Sequence, residues 1–188
     1  MTTNNINMKK VLLVVLLAVF STTALFAQSQ NFWQEVPYER AQKLGETKES
    51  FKGITDNLVE VNIEQLRSVL AGAPDRSSAG AGVIITIPAL DGTIEHFRVY
   101  EASNFAPELQ SEFPGIRAYA GYGIEDPTAH LRLSLSHVNV QTMVLRGNRQ
   151  TEFIEPYNEN ATVYAVFSSG MKGGSGRGAL LVFRKMKQ

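Results

Sequence analysis

The stretch AHLRLSLS at residues 129–136 constrains the fold of this chain more than any other segment. Alanine or leucine occupies every odd position, whereas His130, Arg132, Ser134 and Ser136 occupy the even positions. Side chains of a β-strand point alternately to its two faces. This alternation therefore predicts an antiparallel strand with one face on a hydrophobic core and the other toward solvent.

Runs of the same kind occur on both sides of this strand. Asp91-Gly92 separates two of them and predicts a hairpin, because glycine tolerates the positive φ of a type I′ turn. The further β-rich runs lie at residues 83–88, 94–101, 116–122, 138–145, 150–154 and 162–167. Together they predict a meandering, mostly antiparallel sheet of about six or seven strands.

Two short helices are predicted to cover one face of this sheet. Apolar residues recur at three-and-four spacing in residues 63–70, and Asn62 supplies an N-cap. Phe105, Leu109 and Phe113 form a second apolar stripe of helical spacing. The predicted fold class is therefore α+β.

The first 27 residues have the pattern of a secretory signal peptide. Lys9 and Lys10 precede a wholly apolar run at residues 11–20, and we expect cleavage between Ala27 and Gln28. A membrane anchor would need about 20 apolar residues, roughly twice this run. We therefore expect export to the periplasm or the extracellular space, without membrane attachment after cleavage.

The remaining chain divides into three segments. Residues 28–57 are polar and predict a weakly structured lead-in, with a helix near residues 39–45. Residues 58–167 contain the α+β domain. Residues 168–188 are rich in glycine, serine and lysine and predict a flexible tail, either native or produced by a shifted reading frame.

Charge and cysteine content exclude several classes of protein. The 18 basic residues balance 18 acidic residues, so the basic excess expected of a nucleic-acid-binding protein is missing. The chain has no cysteine, which excludes disulfides, thiolate nucleophiles and cysteine-ligated zinc. An exported chain of this kind must be stabilised by its hydrophobic core alone.

Residues able to carry out chemistry do not form a recognisable catalytic motif. The three histidines, His96, His130 and His137, lie on polar strand faces or in a turn, and no HExxH motif occurs. Two pairs of carboxylates are neighbours in the sequence: Glu125 with Asp126, and Glu152 with Glu155. Their positions at turns and strand ends favour solvated surface over acid–base catalysis. The sequence GGSGRG at residues 173–178 lacks the lysine and the preceding strand of a phosphate-binding loop.

We therefore predict a protein that is not an enzyme and holds no cofactor or metal. Most of its aromatic residues are expected to pack in the core. A subset could instead contact a partner, and the candidates are Tyr119, Tyr122, His130 and Arg132. In this alternative, the chain is a secreted β-rich module that binds another protein or a glycan.

Three segments in order carry a family resemblance. They are VNIEQLRSVLAGAP, then VIITIPALDGTIEHFRVYEASNFAPELQSEFPGIRAYAGYGIEDPTAHLRLSLS, then TEFIEPY. Their order and spacing resemble the N-terminal propeptide of secreted reprolysin-like (adamalysin-type) zinc metallopeptidases of Bacteroidetes-type bacteria. Single elements such as DG or FP carry no weight, but the ordered set covers residues 58–167.

The resemblance implies a non-catalytic pro-domain. Such a domain would assist folding of the protease and cover its active-site cleft, and its partner would be the catalytic domain, in cis or in trans. This chain lacks the zinc-binding motif of that domain and the cysteine with which some propeptides ligate the zinc. We therefore expect a pro-domain without its protease, either a fragment of a truncated or frameshifted precursor or a stand-alone module.

Overall fold

A curved antiparallel sheet forms the body of the protein. The structure, a computed structural model, describes residues 31–103 and 105–170, and nine strands lie within them. The strands are β1 (Trp33–Glu35), β2 (Leu58–Val61), β3 (Val83–Pro88), β4 (Ile94–Glu101), β5 (Arg117–Gly123), β6 (His130–Leu135), β7 (Val140–Leu145), β8 (Glu152–Pro156) and β9 (Tyr164–Ser168). Their order in the sheet is β1-β2-β9-β8-β7-β6-β5-β4-β3, and every neighbouring pair is antiparallel.

The strands from β3 to β9 form the predicted meander, and the α+β class is confirmed. Of the two helices predicted to cover one face, only the one at residues 63–70 packs on the sheet, because Leu109 and Phe113 of the second apolar stripe are 40% and 45% exposed. The strand count of six or seven was too low, because β1 and β2 add to the sheet beside β9. These two strands have three and four residues. A strand that short shows too few alternations to give a periodic signal.

Three α-helices and one 3₁₀ helix accompany the sheet in the described part of the chain. They are α1 (Tyr38–Leu44), α2 (Ile63–Leu70), α3 (Pro107–Glu112) and the 3₁₀ helix Glu49–Phe51. The Asn62 side chain caps α2 as expected, because its oxygen accepts the backbone N–H of Gln65 at 3.0 Å. Among the described residues, no helix has the length and apolar character needed to cross a bilayer.

The main core lies between the inner face of the sheet and α2. Leu66 and Leu70 of α2 are almost fully buried there, together with alternate residues of nearly every strand. The curvature also brings the two edge strands together, since the Trp33 indole N–H of β1 donates a 2.7 Å hydrogen bond to the Thr86 carbonyl of β3. Most of the inner face of the sheet is therefore buried.

A second core occupies the outer face of β2, β8 and β9, beneath α1 and the 3₁₀ helix. Phe51, Leu58 and Tyr157 are buried in it at 1% exposure each. Strand β9 lies between the two cores: Tyr164 and Val166 face the main core, whereas Ala165 and Phe167 face the second. All five of its residues are buried, so its sequence is continuously apolar up to Ser168.

The N-terminal part of the domain corrects our expectation for residues 28–57. From residue 32 onward this segment is not a weakly structured lead-in but contains β1, α1 and the 3₁₀ helix. The helix expected near residues 39–45 is present as α1. Its large apolar residues are irregularly spaced because their partners come from β2, β8 and β9, which no local pattern reveals. The predicted signal peptide with its cleavage between Ala27 and Gln28, and residues 171–188 of the predicted tail, lie outside the described residues.

Candidate functional site

Within residues 31–103 and 105–170, the helices and loops leave most of the outer face of β3–β7 uncovered, in contrast to the outer face of β2, β8 and β9. Exposed apolar residues stand on it: Ile84 at 44%, Tyr122 at 55% and Leu145 at 40% exposure. We call this surface the open face. Its side chains belong to Ile84, Arg98, Tyr100, Ala118, Ala120, Tyr122, His130, Arg132, Ser134, Gln141, Met143 and Leu145.

The strand register arranges these side chains in rows across the sheet. One row runs Ile84, Arg98, Tyr122, His130, Leu145. The next row runs Tyr100, Ala120, Arg132, Met143. Within the first row the rings of Tyr122 and His130 meet edge to face, with centroids 5.1 Å apart. Basic, aromatic and aliphatic groups therefore alternate over a surface five strands wide.

A loop borders the open face and forms a groove with it. The groove has a volume of about 570 Å³ and is lined by Arg76, Ser78, Ala79, Gly80, Tyr100, Ala120, Tyr122 and Arg132. The Arg76 N–H donates to the Glu101 carbonyl, and the Glu101 N–H donates to the Pro74 carbonyl, both at 2.9 Å. These bonds attach the loop to the end of β4, so the groove is part of the fold.

Two local features hold the loop in its shape. The Asp75 carboxylate accepts hydrogen bonds from the hydroxyl and the backbone N–H of Ser77, and these bonds hold the pKa of Asp75 below its usual value. Gly82 allows the chain to pass against Tyr100, because a Cβ at this position would lie 2.9 Å from Cζ of the tyrosine ring. The loop and the ring therefore pack at a distance that no other residue type permits.

A second, smaller concavity continues the open face toward α3. Its volume is about 150 Å³, and Phe105, Ile116, Ala118, Ser134 and Gln141 contribute to its lining. The row formed by Ala118, Ser134 and Gln141 extends into it. The open face is therefore continuous from the loop at residues 76–80 to the segment that precedes α3.

The arginines without an ion pair are concentrated on this surface. Five of the eight arginines in the described ranges have a carboxylate within 4.0 Å: Arg40, Arg67, Arg117, Arg146 and Arg149. The other three, Arg76, Arg98 and Arg132, form no ion pair with a described residue, and all three lie on or beside the open face. Among the described arginines, those without an ion pair are therefore gathered on one surface, which makes the open face basic.

The structure separates the four predicted contact residues. Tyr122, His130 and Arg132 are exposed and lie together on the open face. Tyr119 was a wrong prediction: it is 4% exposed in the main core, and burial raises the pKa of its hydroxyl. Positions 119 and 122 differ by an odd number, so their side chains point to opposite faces of β5.

The histidines lie apart from one another. The Glu125 carboxylate accepts the backbone N–H of His96 at 2.8 Å and also contacts its ring. Partial burial opposes ionisation of Glu125, but these hydrogen bonds outweigh it and hold its pKa below the usual value. The His137 ring packs on Gly115, where an added Cβ would lie 2.0 Å from Cε1. No group of three or more His, Cys, Asp or Glu in the described part of the chain could hold a metal ion.

A buried ionic cluster lies at the end of the main core. The Arg146 side chain is 1% exposed, and its guanidinium bonds to Glu95 at 2.6 Å, to Glu152 at 3.1 Å and to Asp126 at 3.5 Å. Burial disfavours the charged guanidinium, but the hydrogen bonds that it donates to Glu95 and Glu152 outweigh this and raise the pKa of Arg146.

This cluster corrects the interpretation of the carboxylate pairs. Glu152 was expected on solvated surface, yet it is buried at 6% exposure and bonds to Arg146. Asp126 also turns toward Arg146 and away from its sequence neighbour Glu125. The members come from four separate segments, so no sequence motif could have revealed the cluster.

Comparison with known proteins gives no match to a family model, a curated protein or a solved structure. The resemblance to reprolysin-like propeptides therefore stays a prediction. The open face and its groove are the features from which a function can be inferred.

Proposed function

We propose that this protein is a non-catalytic pro-domain that binds a reprolysin-like metallopeptidase through its open face. The binding would assist folding of the protease and cover its active-site cleft. The single observation that supports the proposal is the open face itself: five paired strands present exposed aromatic, aliphatic and unpaired basic groups to solvent. The ordered motifs of residues 58–167 supply the identity of the partner.

The physics of such an activity is selective binding to the native protease. A domain that binds the folded enzyme but not the unfolded chain shifts the folding equilibrium toward the folded form. Strands β3–β7 are joined by continuous ladders, so little ordering entropy would be lost when they dock. Tyrosine and arginine are the residue types that most often dominate binding energy at interfaces, and both stand on the open face.

The open face alone is smaller than the area that a stable interface buries. Five strands about 4.8 Å apart, each about 20 Å long, give a flat area of about 400 Å². A stable interface buries about 800 Å² on each partner. The contact must therefore include the borders of the face, which are the loop at residues 76–80 and the exposed residues Leu109 and Phe113 around α3.

The test uses a mature reprolysin-like metallopeptidase encoded in the same genome. Protein purified from cells that express the full chain is titrated into the protease, and hydrolysis of a fluorogenic peptide is followed. We expect inhibition at micromolar concentration and a higher yield when the denatured protease is refolded in its presence. An unrelated serine protease serves as the specificity control. Neither inhibition nor refolding assistance at micromolar concentration would contradict the proposal.

A matched pair of variants localises the contact. Tyr122→Glu places a negative charge on the open face, and Gln42→Glu places the same charge on α1, above the covered half of the sheet. Tyr122→Glu should weaken inhibition, whereas Gln42→Glu should leave it unchanged. Equal effects of the two variants would exclude the open face as the contact.

A second candidate function is a secreted module that binds another protein or a glycan without a protease. The exposed pair of Tyr122 and His130 beside a groove of about 570 Å³ favours it, because that volume is typical of ligand sites. Binding of the purified protein to an array of polysaccharides, with no effect on the protease, would support this function in place of the first.

A further inference from the structure

We propose that the groove between residues 76–80 and strands β4–β6 binds an acidic, extended segment of the partner protein. The inference rests on the proposed function only for the identity of that partner. Its chemical class, a strand-like segment carrying Asp or Glu between apolar residues, comes from the groove.

Charge is the first reason. Arg76 and Arg132 line the groove and Arg98 stands in the adjacent row, while none of the three has a carboxylate within 4.0 Å in the described residues. The nearest acidic residue of the loop, Asp75, is engaged by Ser77. A carboxylate entering the groove would therefore meet guanidinium groups that no internal partner neutralises.

Geometry is the second reason. Arginine presents a planar fork that binds a carboxylate through two parallel hydrogen bonds. Tyr100 and Tyr122 line the same groove as the two arginines, and Tyr100 lies in the same row as Arg132. The loop is attached to β4 by backbone hydrogen bonds, so the groove exists before the ligand arrives. A preformed site loses little entropy when it binds.

The surroundings favour a protein segment over a glycan. Ile84 and Leu145 lie at the two ends of the Tyr122 row, and Met143 is the neighbour of Arg132 in its row. A polypeptide with alternating acidic and apolar side chains would contact both kinds of group. An acidic polysaccharide would satisfy the arginines but leave the aliphatic residues in contact with water.

The test measures fluorescence anisotropy of labelled peptides with protein from cells that express the full chain. The first probe alternates glutamate and valine, and the second has glutamine in place of glutamate. A labelled heparin oligosaccharide represents the acidic glycan. We expect the glutamate probe to bind about ten-fold more tightly than the glutamine probe. The reason is that one hydrogen bond to a charged group contributes enough binding free energy to change the dissociation constant about ten-fold. Its binding should weaken as salt is raised.

Variants of the protein assign the site. Arg76→Ala and Arg132→Ala should each lower affinity for the glutamate probe about ten-fold. Arg132→Lys keeps the charge but not the fork, so its affinity should be intermediate. Arg40→Ala, an exposed arginine on the covered side, should change affinity by less than about two-fold, as expected of a surface charge far from the site. Urea unfolding of each variant verifies that the fold is intact.

Three results would overturn the inference. They are equal binding of the two peptides, unchanged affinity in both groove variants, and binding of heparin without binding of the glutamate probe. Failure of the inference about the groove can be distinguished from failure of the proposed function. If the protein binds the glutamate probe but does not inhibit the protease, the inference that the groove binds acidic segments stands, and the assignment of the protease as its partner is wrong.

Discussion

Replacement of Arg146 by methionine should destabilise the fold more than replacement of any surface arginine. The Arg146 side chain is 1% exposed, and its guanidinium bonds to Glu95 and Glu152, whose side chains are 14% and 8% exposed. Methionine retains the apolar stem and so limits loss of packing. The two carboxylates would then be buried without their main cation. Breaking a buried ion pair in this way costs about 3–5 kcal/mol.

The lower part of that range applies here. Arg149 lies 3.4 Å from Glu95 and would still compensate one of the two carboxylates. We therefore expect a loss of about 3 kcal/mol in the free energy of unfolding. This loss is a large part of the 5–15 kcal/mol that stabilises a typical domain.

The assay is equilibrium unfolding in urea at neutral pH. The slope of unfolding free energy against urea should be unchanged, and only the midpoint should fall. Arg117→Met is the matched control, because that arginine is 36% exposed and pairs with Glu101 at the surface. The control should lose less than about 1 kcal/mol.

A triple variant separates charge from packing. Arg146→Met combined with Glu95→Gln and Glu152→Gln removes the buried negative charges as well as the cation. Replacing a buried ionic group by hydrophobic residues of similar volume is often close to neutral, and the triple variant approaches this case by neutralising the two most buried carboxylates while the Asp126 side chain, at 26% exposure, stays in contact with water. The triple variant should therefore recover most of the stability lost in Arg146→Met. If it is as unstable as the single variant, packing or hydrogen bonding, not uncompensated charge, would explain the loss.

Three further predictions concern stability. Tyr119→Ala should lower the free energy of unfolding in urea by about 3–5 kcal/mol, because Tyr119 is buried in the core. Tyr122→Ala should lower it by less than about 1.5 kcal/mol, which is the contribution of an aromatic pair. Equal losses would place both residues in the core. Gly121→Ala should lower the free energy of unfolding by about 1–3 kcal/mol, because the added Cβ would lie 2.8 Å from the Arg98 carbonyl oxygen. An unchanged urea midpoint would show that β4 and β5 can move apart to accommodate the methyl group. Glu125 has a lowered pKa, so it stabilises the fold above its unfolded value of about 4.3, and this contribution is lost as pH falls through the folded pKa. Glu125→Gln should therefore lose more stability at pH 7 than at pH 3, and equal losses at both would contradict the role of its ionised form.

Local alternation predicted the part of the fold that local sequence determines. Strands β3–β9 each show several apolar residues on one face, so their existence and the meander could be predicted. The segment from β1 to the 3₁₀ helix could not, because residues such as Phe51 pack against partners more than 100 positions away, including Tyr157. Its apolar residues have no local period.

The candidate surface was predictable in part for the same reason. His130 and Arg132 were placed correctly on the polar face of their strand, and Tyr122 joins them through the register of β5 with β6. Tyr119 does not belong to this surface, because it lies three residues from Tyr122 and a strand alternates its side chains between two faces. The unpaired state of Arg76 and Arg98 depends on where distant carboxylates lie, which only the folded structure shows.

Hydrogen exchange with and without the mature metallopeptidase would test the open face as the docking surface most directly. Amide exchange is read by mass spectrometry for peptides that cover the loop at residues 75–82, strands β4–β6 and helix α1. The account predicts slower exchange in the complex at residues 75–82 and along the open face, with no change in α1 or the 3₁₀ helix. Protection confined to α1 and the 3₁₀ helix, or no protection in any peptide at saturating protease, would contradict it.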